Sequence, residues 1–269
     1  MKEHDTPLAR MLGLSELRLV AVAGSGGKST LLRLLAQELA GAGHPVILTT
    51  TTHIHPPRAG RVSDIWLLGR RVPSPPEVAE RLAPGRALAV AGGHTLQGKL
   101  RGIDPAQAQA LAQSGAWVLV EADGSARLPL KAWAPWEPAL PGGRHHLVVL
   151  AGARGLGRPL DQDWVHRPER FARAAGLEMG RAVTAPALAR VLLGPEGPFA
   201  AHPEPALNTL VINQADAVAA RELGALAREL ARLAPEPPYA RLLKASLRWG
   251  RLEPLLSGEA PDADGDPVV

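Results

Sequence analysis

An apolar run that breaks into glycines, then a lysine and two hydroxyls, Val20-Ala-Val-Ala-Gly24-Ser25-Gly26-Gly27-Lys28-Ser29-Thr30, constrains this chain more than any other stretch. It predicts a buried strand, a tight loop and the first turn of a helix. Glycines let backbone N–H groups turn toward an anion, and the helix start adds the positive end of its dipole. A lysine there supplies a point charge for the outer phosphates of a nucleotide, and the hydroxyl after it supplies an oxygen for Mg²⁺. Gly24, Ser25, Gly26, Gly27, Lys28, Ser29 and Thr30 are therefore the expected phosphate-binding residues, with Lys28 also expected in catalysis and Ser29 as a metal ligand. The usual phosphate loop carries a glycine where this chain has Val22, so the loop here is short, Gly-x-x-Gly-Lys-Ser. The plain alternative is a turn whose glycines only let a helix pack closely on a sheet.

Leu31, Leu32, Leu34, Leu35 and Leu39 recur at helical spacing up to glycine stops at Gly41 and Gly43, and Pro45 leads into a second short apolar strand. A strand, a helix and a strand of these lengths make the unit that a parallel sheet requires. The second strand ends in Thr49-Thr50-Thr51-Thr52-His53-Ile54-His55, and hydroxyls and imidazoles past the carboxyl end of a parallel strand lie where α/β proteins bind ligands. Thr51, Thr52 and His53 are expected near the nucleotide or its Mg²⁺. His53 and His55 share a strand face, but no third ligand stands out for a transition metal.

Absent cysteine removes disulfides, thiolate metal sites and cysteine nucleophiles together, so any metal must use oxygen or imidazole ligands. The formal charge is +4, from 30 Lys and Arg against 26 Asp and Glu, and the basic residues alternate with acids instead of forming a block, which argues against a nucleic-acid partner. Lysine occurs only at Lys2, Lys28, Lys99, Lys131 and Lys244, so a lysine inside a motif points to a specific role where arginine serves as the general surface cation. The polar N-terminus is not followed by a long apolar run, so neither a signal peptide nor a membrane partner is expected, and the expected location is the cytoplasm.

Ala116-Trp-Val-Leu-Val120 followed by Glu121-Ala122-Asp123-Gly124 is the second strong signal. Carboxylates at the end of an apolar strand can hold Mg²⁺ and its waters opposite the Ser29 hydroxyl. Glu121 and Asp123 are expected as metal ligands and catalytic groups, although Asp123-Gly124 can also be read as a turn pair. The proline-punctuated stretch from Ser125 to Pro138 carries Arg127, Lys131, Trp133 and Trp136 and reads as a loop covering a site. Lys131 is expected to neutralise a transferred group, Arg127 is the other candidate to reach an anion, and the tryptophans are expected to pack. Asp104-Pro105 predicts a capped helix to about Gln113, and Lys99 and Arg101 fall on a hairpin. A third signal is Thr209-Leu-Val-Ile-Asn213-Gln214-Ala215-Asp216. Asn213 and Asp216 are expected at the base, since a carboxylate there can accept ring and exocyclic N–H protons of guanine, and Asp216 also reads as the N-cap of a helix over 217–233.

Taken together, Gly24–Thr30, Thr49–His53, Glu121–Gly124 with Lys131 and Glu137-Pro138, His166-Arg167 and Asn213–Asp216 resemble the YqeC family, whose members are named as accessory proteins of selenium-dependent molybdenum hydroxylases. The resemblance implies a P-loop nucleoside-triphosphate fold, with Mg²⁺ and ATP or GTP as cofactors, and a molybdenum hydroxylase or its cofactor-maturation proteins as partners. The short loop is also similar to that of Mur-type ligases, and Glu121–Gly124 with Asn213–Asp216 to metallochaperone GTPases. Gln214 departs from the lysine usual in the guanine motif.

The expected fold is therefore α/β, a P-loop-type, mostly parallel sheet flanked by helices. One domain is expected over 1–256, with 56–103 and 122–205 as insertions, lid and helical additions, and a flexible tail over 257–269. Two functions remain open: an Mg²⁺-dependent NTPase or phosphoryl- or nucleotidyl-transfer enzyme, and a nucleotide-dependent switch or chaperone with no small-molecule substrate.

Overall fold

The computed structural model describes residues 7–14, 17–54, 56, 62, 64–83, 85–202 and 204–255. His55 and the expected tail over 257–269 lie outside the described residues. The chain runs α1 (Pro7–Leu12), β1 (Leu19–Gly24), α2 (Lys28–Gly41), β2 (Val46–Thr50), β3 (His53–Ile54), β4 (Ile65–Leu67) and α3 (Pro75–Arg81). It continues through β5 (Ala87–Ala91), β6 (Gly93–His94), β7 (Leu100–Arg101), α4 (Pro105–Gln113), β8 (Trp117–Glu121), β9 (Leu130–Lys131) and β10 (His146–Gly152). The last part holds β11 (Val165–His166), α5 (Pro168–Ala175), α6 (Ala185–Leu193), β12 (Asn208–Asn213), α7 (Ala220–Leu233), β13 (Arg241–Ser246) and β14 (Arg251–Pro254).

Nine strands form the main sheet in the order β14-β13-β12-β10-β1-β8-β2-β5-β4. Only the β13–β14 pair is antiparallel. The central strands are apolar without alternation because helices cover both sheet faces. On one face α1 and α2 pack over Val20, Val22, Leu119, Val148 and Val211. The other face carries α5, α6 and α7 over Ala21, Ala23, Leu147 and Leu210, and α3 and α4 over Ile47, Leu88, Val118 and Val120. Leu31, Leu35 and Leu39 of α2 are fully buried, each stabilising the fold by about 1.5–3 kcal/mol over an exposed position. The segments read as additions supply sheet members: β4 and β5 come from 56–103, and β10, next to β1, from 122–205.

After β1 the chain crosses to β2 on one side, and the strand on the other side of β1 is β10, so β1 borders a point where the direction of winding reverses. In parallel sheets the crevice at the carboxyl ends of such strands is where ligands bind. β8 lies directly against β1, in register from Leu19↔Val118 to Val22↔Glu121. That adjacency carries the carboxylates after β8 to the phosphate loop. Asp104 caps α4 as expected, accepting from the Gln107 amide at 2.8 Å while the Gln107 side chain closes the reciprocal bond. Arg101 lies in a small antiparallel sheet, β3-β7-β6, and Lys99 immediately precedes its strand β7. Among the described residues no helix is long and apolar enough to cross a membrane.

Candidate functional site

The loop between β1 and α2 is pressed against the ends of β10 and β12, and this is why it is glycine. A Cβ on Gly24 (φ +94°) would come within 2.0 Å of the Leu150 carbonyl oxygen, and one on Gly27 (φ +142°) within 2.3 Å of the Asn213 side-chain amide. Close packing and a left-handed backbone are thus both required here. They do not exclude anion binding, because α2 starts at Lys28 with no side-chain cap. The amides of Gly27, Lys28 and Ser29 have no acceptor among the described residues. Three successive N–H groups at the start of a 14-residue helix form a nest for an anion.

The first half of the loop is used differently. The Gly24 amide donates to Asp123 Oδ2 at 2.8 Å, the Ser25 amide to the Leu150 carbonyl at 2.9 Å and the Gly26 amide to the Leu128 carbonyl at 3.2 Å. The Ser25 hydroxyl donates to the Pro129 carbonyl at 2.8 Å. Gly24, Ser25 and Gly26, expected to bind phosphate, therefore shape the loop, and Gly27, Lys28 and Ser29 offer the open donors.

Glu121 ends β8 beside the helix start. Ser29 Oγ donates to Glu121 Oε2 at 3.3 Å, and the Lys28 ammonium lies 4.0 Å from Glu121 Oε1. Burial pushes the Glu121 carboxyl above its usual range, with the Lys28 charge working against that shift. Desolvated and incompletely balanced, this carboxylate suits a further cation. One hydroxyl and one carboxylate oxygen are a donor set for Mg²⁺, which fills its remaining positions with phosphate oxygens and water. No group of three or more metal-competent His, Cys, Asp or Glu side chains occurs among the described residues.

Asp123 and Lys131 depart from expectation. Asp123 is fully buried, and Oδ2 accepts from the Gly24 amide and from Trp133 Nε1 at 2.9 Å. Its two oxygens pair with two lysines, Oδ1 with Lys28 at 3.1 Å and Oδ2 with Lys131 at 3.0 Å. Oδ1 makes no hydrogen bond and meets only the Lys28 ammonium, so with no exposure to the cavity Asp123 positions the loop and Lys28. Lys131 is equally enclosed. Its ammonium donates to the Gly124 carbonyl at 2.7 Å and to Glu137 Oε2 at 2.9 Å and pairs with Asp123 Oδ2, and its side chain has no exposure. It is not available to a transferred group.

Glu137 extends this network to the start of α5. Arg167 clamps it with its two terminal nitrogens, Nη1 donating to Oε2 and Nη2 to Oε1 at 3.0 Å. Burial pushes the Glu137 carboxyl up, but the Arg167 hydrogen bond and the Lys131 charge outweigh it, and the group ends below the usual carboxylate range. His166, next to Arg167, is held below the usual imidazole range by burial and by the Arg167 and Lys131 charges. Charges thus alternate from Lys28 through Asp123, Lys131 and Glu137 to Arg167. The sequence signal for this network was a lysine and a glutamate in a proline-rich loop, in a chain poor in lysine.

Two cavities flank the phosphate loop and share Gly26, Gly27, Ser29 and Thr30 as a wall. The larger, about 1050 Å³, is also lined by Lys28, Glu121, Ser125, Arg127 and His166 and by His53 and Thr49. Thr51 and Thr52 do not line it: the Thr51 hydroxyl donates to the Ala139 carbonyl, and Thr52 pairs with the Thr50 hydroxyl at 3.2 Å. Of the threonine–histidine run, Thr49 and His53 face the cavity. The second cavity, about 710 Å³, is bounded by Asn213, Gln214, Asp216, Arg154, Arg158 and Trp164. Asn213 braces the loop, donating to the Gly26 carbonyl at 2.7 Å and accepting from the Leu247 amide at 3.0 Å.

Asp216 is exposed and does not cap α7, whose N-cap is Ala219. Left-handed Gln214 opens a single 3₁₀ turn over Ala215–Ala217, which shifts the helix start and frees the carboxylate. The Ser246 hydroxyl first, and the Trp249 indole at 3.3 Å with it, hold Asp216 below the usual carboxylate range, so it is ionised at neutral pH. Trp133 packs in the core as expected, whereas Trp136 is exposed.

No solved structure matches the chain. A curated relative from Escherichia coli (strain K12), bearing the name "Uncharacterized protein YqeC", is 30% identical over 220 residues, covering 80% of this chain and 84% of the relative. The sequence profile of the family described as "YqeC protein" matches residues 20–169, the span from β1 through the phosphate loop and Glu121 to the Glu137–Arg167 clamp. The chain belongs to the YqeC family.

Proposed function

We propose that this protein is an Mg²⁺-dependent nucleoside-triphosphate-binding enzyme that cleaves or transfers the terminal phosphoryl group. The observation that carries the reading is the row of three unpartnered amides at Gly27, Lys28 and Ser29, beside the Ser29–Glu121 oxygen pair. The amides and Lys28 would hold the outer phosphates, with the Lys28 ammonium turning from the Gly24 carbonyl, now 2.6 Å away, toward the ligand. Mg²⁺, held by Ser29 and Glu121, would neutralise phosphate charge. Glu121 would also orient a water or an accepting group at the cavity mouth. The nucleoside would lie in the cavity that Asp216 borders. The wider role, in maturation of selenium-dependent molybdenum hydroxylases, rests on the family resemblance.

The test is titration of Mg·ATP and Mg·GTP with phosphate release measured in parallel. Lys28→Ala is expected to lose roughly 3 kcal/mol or more of transition-state stabilisation, the scale of a missing phosphate clamp. Ser29→Ala leaves the buried charges intact and should abolish Mg²⁺ dependence without lowering thermal stability. A wild-type protein that binds neither nucleotide, or binds it as tightly after Lys28→Ala, sinks the reading.

A nucleotide-dependent switch is the second reading, supported by the charge chain from Lys28 to Arg167. A movement of Lys28 onto phosphate would alter the balance at Asp123 and, through Lys131 and Glu137, reach the start of α5. Turnover stimulated only by a protein partner would favour it.

A further inference from the structure

Lys131 is enclosed, and the other cation of the covering loop is placed in the opposite way. Arg127 is exposed, lines the larger cavity beside Lys28, Ser29 and Glu121, and makes no hydrogen bond or ion pair with another described residue. Its backbone is held in an unusual state. Ala126 (φ +49°) and Arg127 (φ +64°) are consecutive left-handed residues, neither of them glycine, and each such residue opposes folding.

The turn that carries them is tied to the phosphate loop from both sides. Leu128 donates its amide to the Ser125 carbonyl at 2.9 Å and accepts from the Gly26 amide at 3.2 Å. The Lys28 ammonium donates to Ser125 Oγ at 3.0 Å, and the Pro129 carbonyl accepts from the Ser25 hydroxyl and the Gly152 amide. Left-handed geometry at Ala126 and Arg127 is therefore imposed by a turn whose two ends are bonded to the loop that would hold the phosphates. Its effect is to hold a guanidinium, without a carboxylate to satisfy it, on the wall of the same cavity that the loop's open end lines. A planar cation with several donors complements a phosphoryl group losing its bond to the leaving oxygen.

We infer that Arg127 is a catalytic residue, an arginine supplied by the chain itself that contacts the γ-phosphoryl oxygens during transfer. This rests on the nucleotide reading above. In the hydrolytic form of the step, the oxygen of water bonds to the γ-phosphorus, and the bond to the β–γ bridging oxygen breaks with its electron pair going to the diphosphate. The proton of the water leaves with inorganic phosphate or to solvent. Arg127 donates to the equatorial oxygens, where charge is spread in the transition state, and its contribution is larger there than in the bound triphosphate.

The experiment compares wild type, Arg127→Ala, Arg127→Lys and Arg127→Gly by single-turnover phosphate release and by direct titration of the Mg-bound triphosphate. The expected result is a rate about 10³-fold lower in Arg127→Ala and Arg127→Gly, with triphosphate affinity unchanged within about threefold. Arg127→Lys should recover only a small part, because an ammonium lacks the planar, two-nitrogen fork with which a guanidinium matches a pair of phosphoryl oxygens. Fluoroaluminate, which mimics the transferring group, should tighten diphosphate binding in the wild type and fail to do so in Arg127→Ala. Arg127→Gly relieves the left-handed backbone and should melt no lower than the wild type, which separates lost chemistry from lost folding. Equal losses of affinity and rate would make Arg127 a ground-state clamp and overturn the inference, as would an unchanged rate. A wild type that binds nucleotide without turning it over overturns Arg127 as catalytic while leaving nucleotide binding intact; one that binds none sinks both.

Discussion

Asp123 shows how a carboxylate in a motif can be committed to the protein itself. It has no exposure, and two ammonium groups and two N–H donors converge on its two oxygens. Removing one partner of a buried pair leaves the others charged and dry, at a cost of about 3–5 kcal/mol. Asp123→Ala should therefore lower the denaturation free energy by that amount, since it removes the carboxylate that Lys28 and Lys131 share and the acceptor of two buried N–H groups. Lys131→Met should cost less, because Asp123 keeps Lys28 and Glu137 keeps Arg167. The same pair of variants separates support from catalysis. Folded Lys131→Met should retain triphosphate affinity within about tenfold, as read by calorimetric titration, whereas a lysine that neutralised transferred phosphate would leave stability unchanged and abolish turnover.

At the scale of elements, β10 joins the two halves of the sheet, and it begins with a buried histidine. Burial first, then the Arg241 charge, lowers His146 from 6.5 to about 4. A base whose folded pKa is depressed binds fewer protons folded than unfolded between those values. Its contribution is fully present above pH 6.5 and is lost as pH falls toward 4, by about 3 kcal/mol in all. Urea titrations across that window should show this slope, and His146→Leu should flatten it; an unchanged slope would assign the acid sensitivity elsewhere. The run from β1 through α2 was legible because glycine, lysine and the leucine stripe are local signals. The α4 cap was legible for the same reason. β10 read as a buried strand, but its place beside β1 was not legible, since a parallel neighbour is chosen by contacts far along the chain. The start of α7 was misjudged because left-handed Gln214 inserts a turn that an Asp before a leucine pattern does not announce. Which site groups stay open was also hidden. Ser25, Thr51 and Lys131 have the right chemistry, and only tertiary contacts reveal that it is already used.

Across the whole molecule, the strand order β12-β10-β1-β8-β2 sets Asp216 and Glu121 on opposite sides of the phosphate loop, each bordering its own cavity. A nucleotide whose phosphates occupy the shared wall would send its base toward Asp216 and its terminal phosphate toward Glu121 and Arg127. Asp216 is ionised, exposed and free of capping duty, and the lone pairs left beside the Trp249 hydrogen bond to Oδ2 suit the adjacent ring N–H and exocyclic amine of guanine; adenine offers no such pair of donors. Asp216→Ala should then weaken Mg·GDP binding by about 10²-fold, the scale of a lost charged hydrogen-bond pair, and leave Mg·ADP binding unchanged. Asp216→Asn makes the sharper case. An amide puts a donor where the carboxylate had an acceptor, which fits the C2 carbonyl of xanthine in place of the amine of guanine. Titrating wild type and Asp216→Asn with GDP, XDP and ADP should therefore show the preference pass from guanine to xanthine, with ADP indifferent. If ADP binds best to the wild type and neither substitution changes any of the three affinities, the base does not meet Asp216, and Arg154 and Arg158, which line the same cavity, become the groups to which the nucleoside side of the ligand must be fitted.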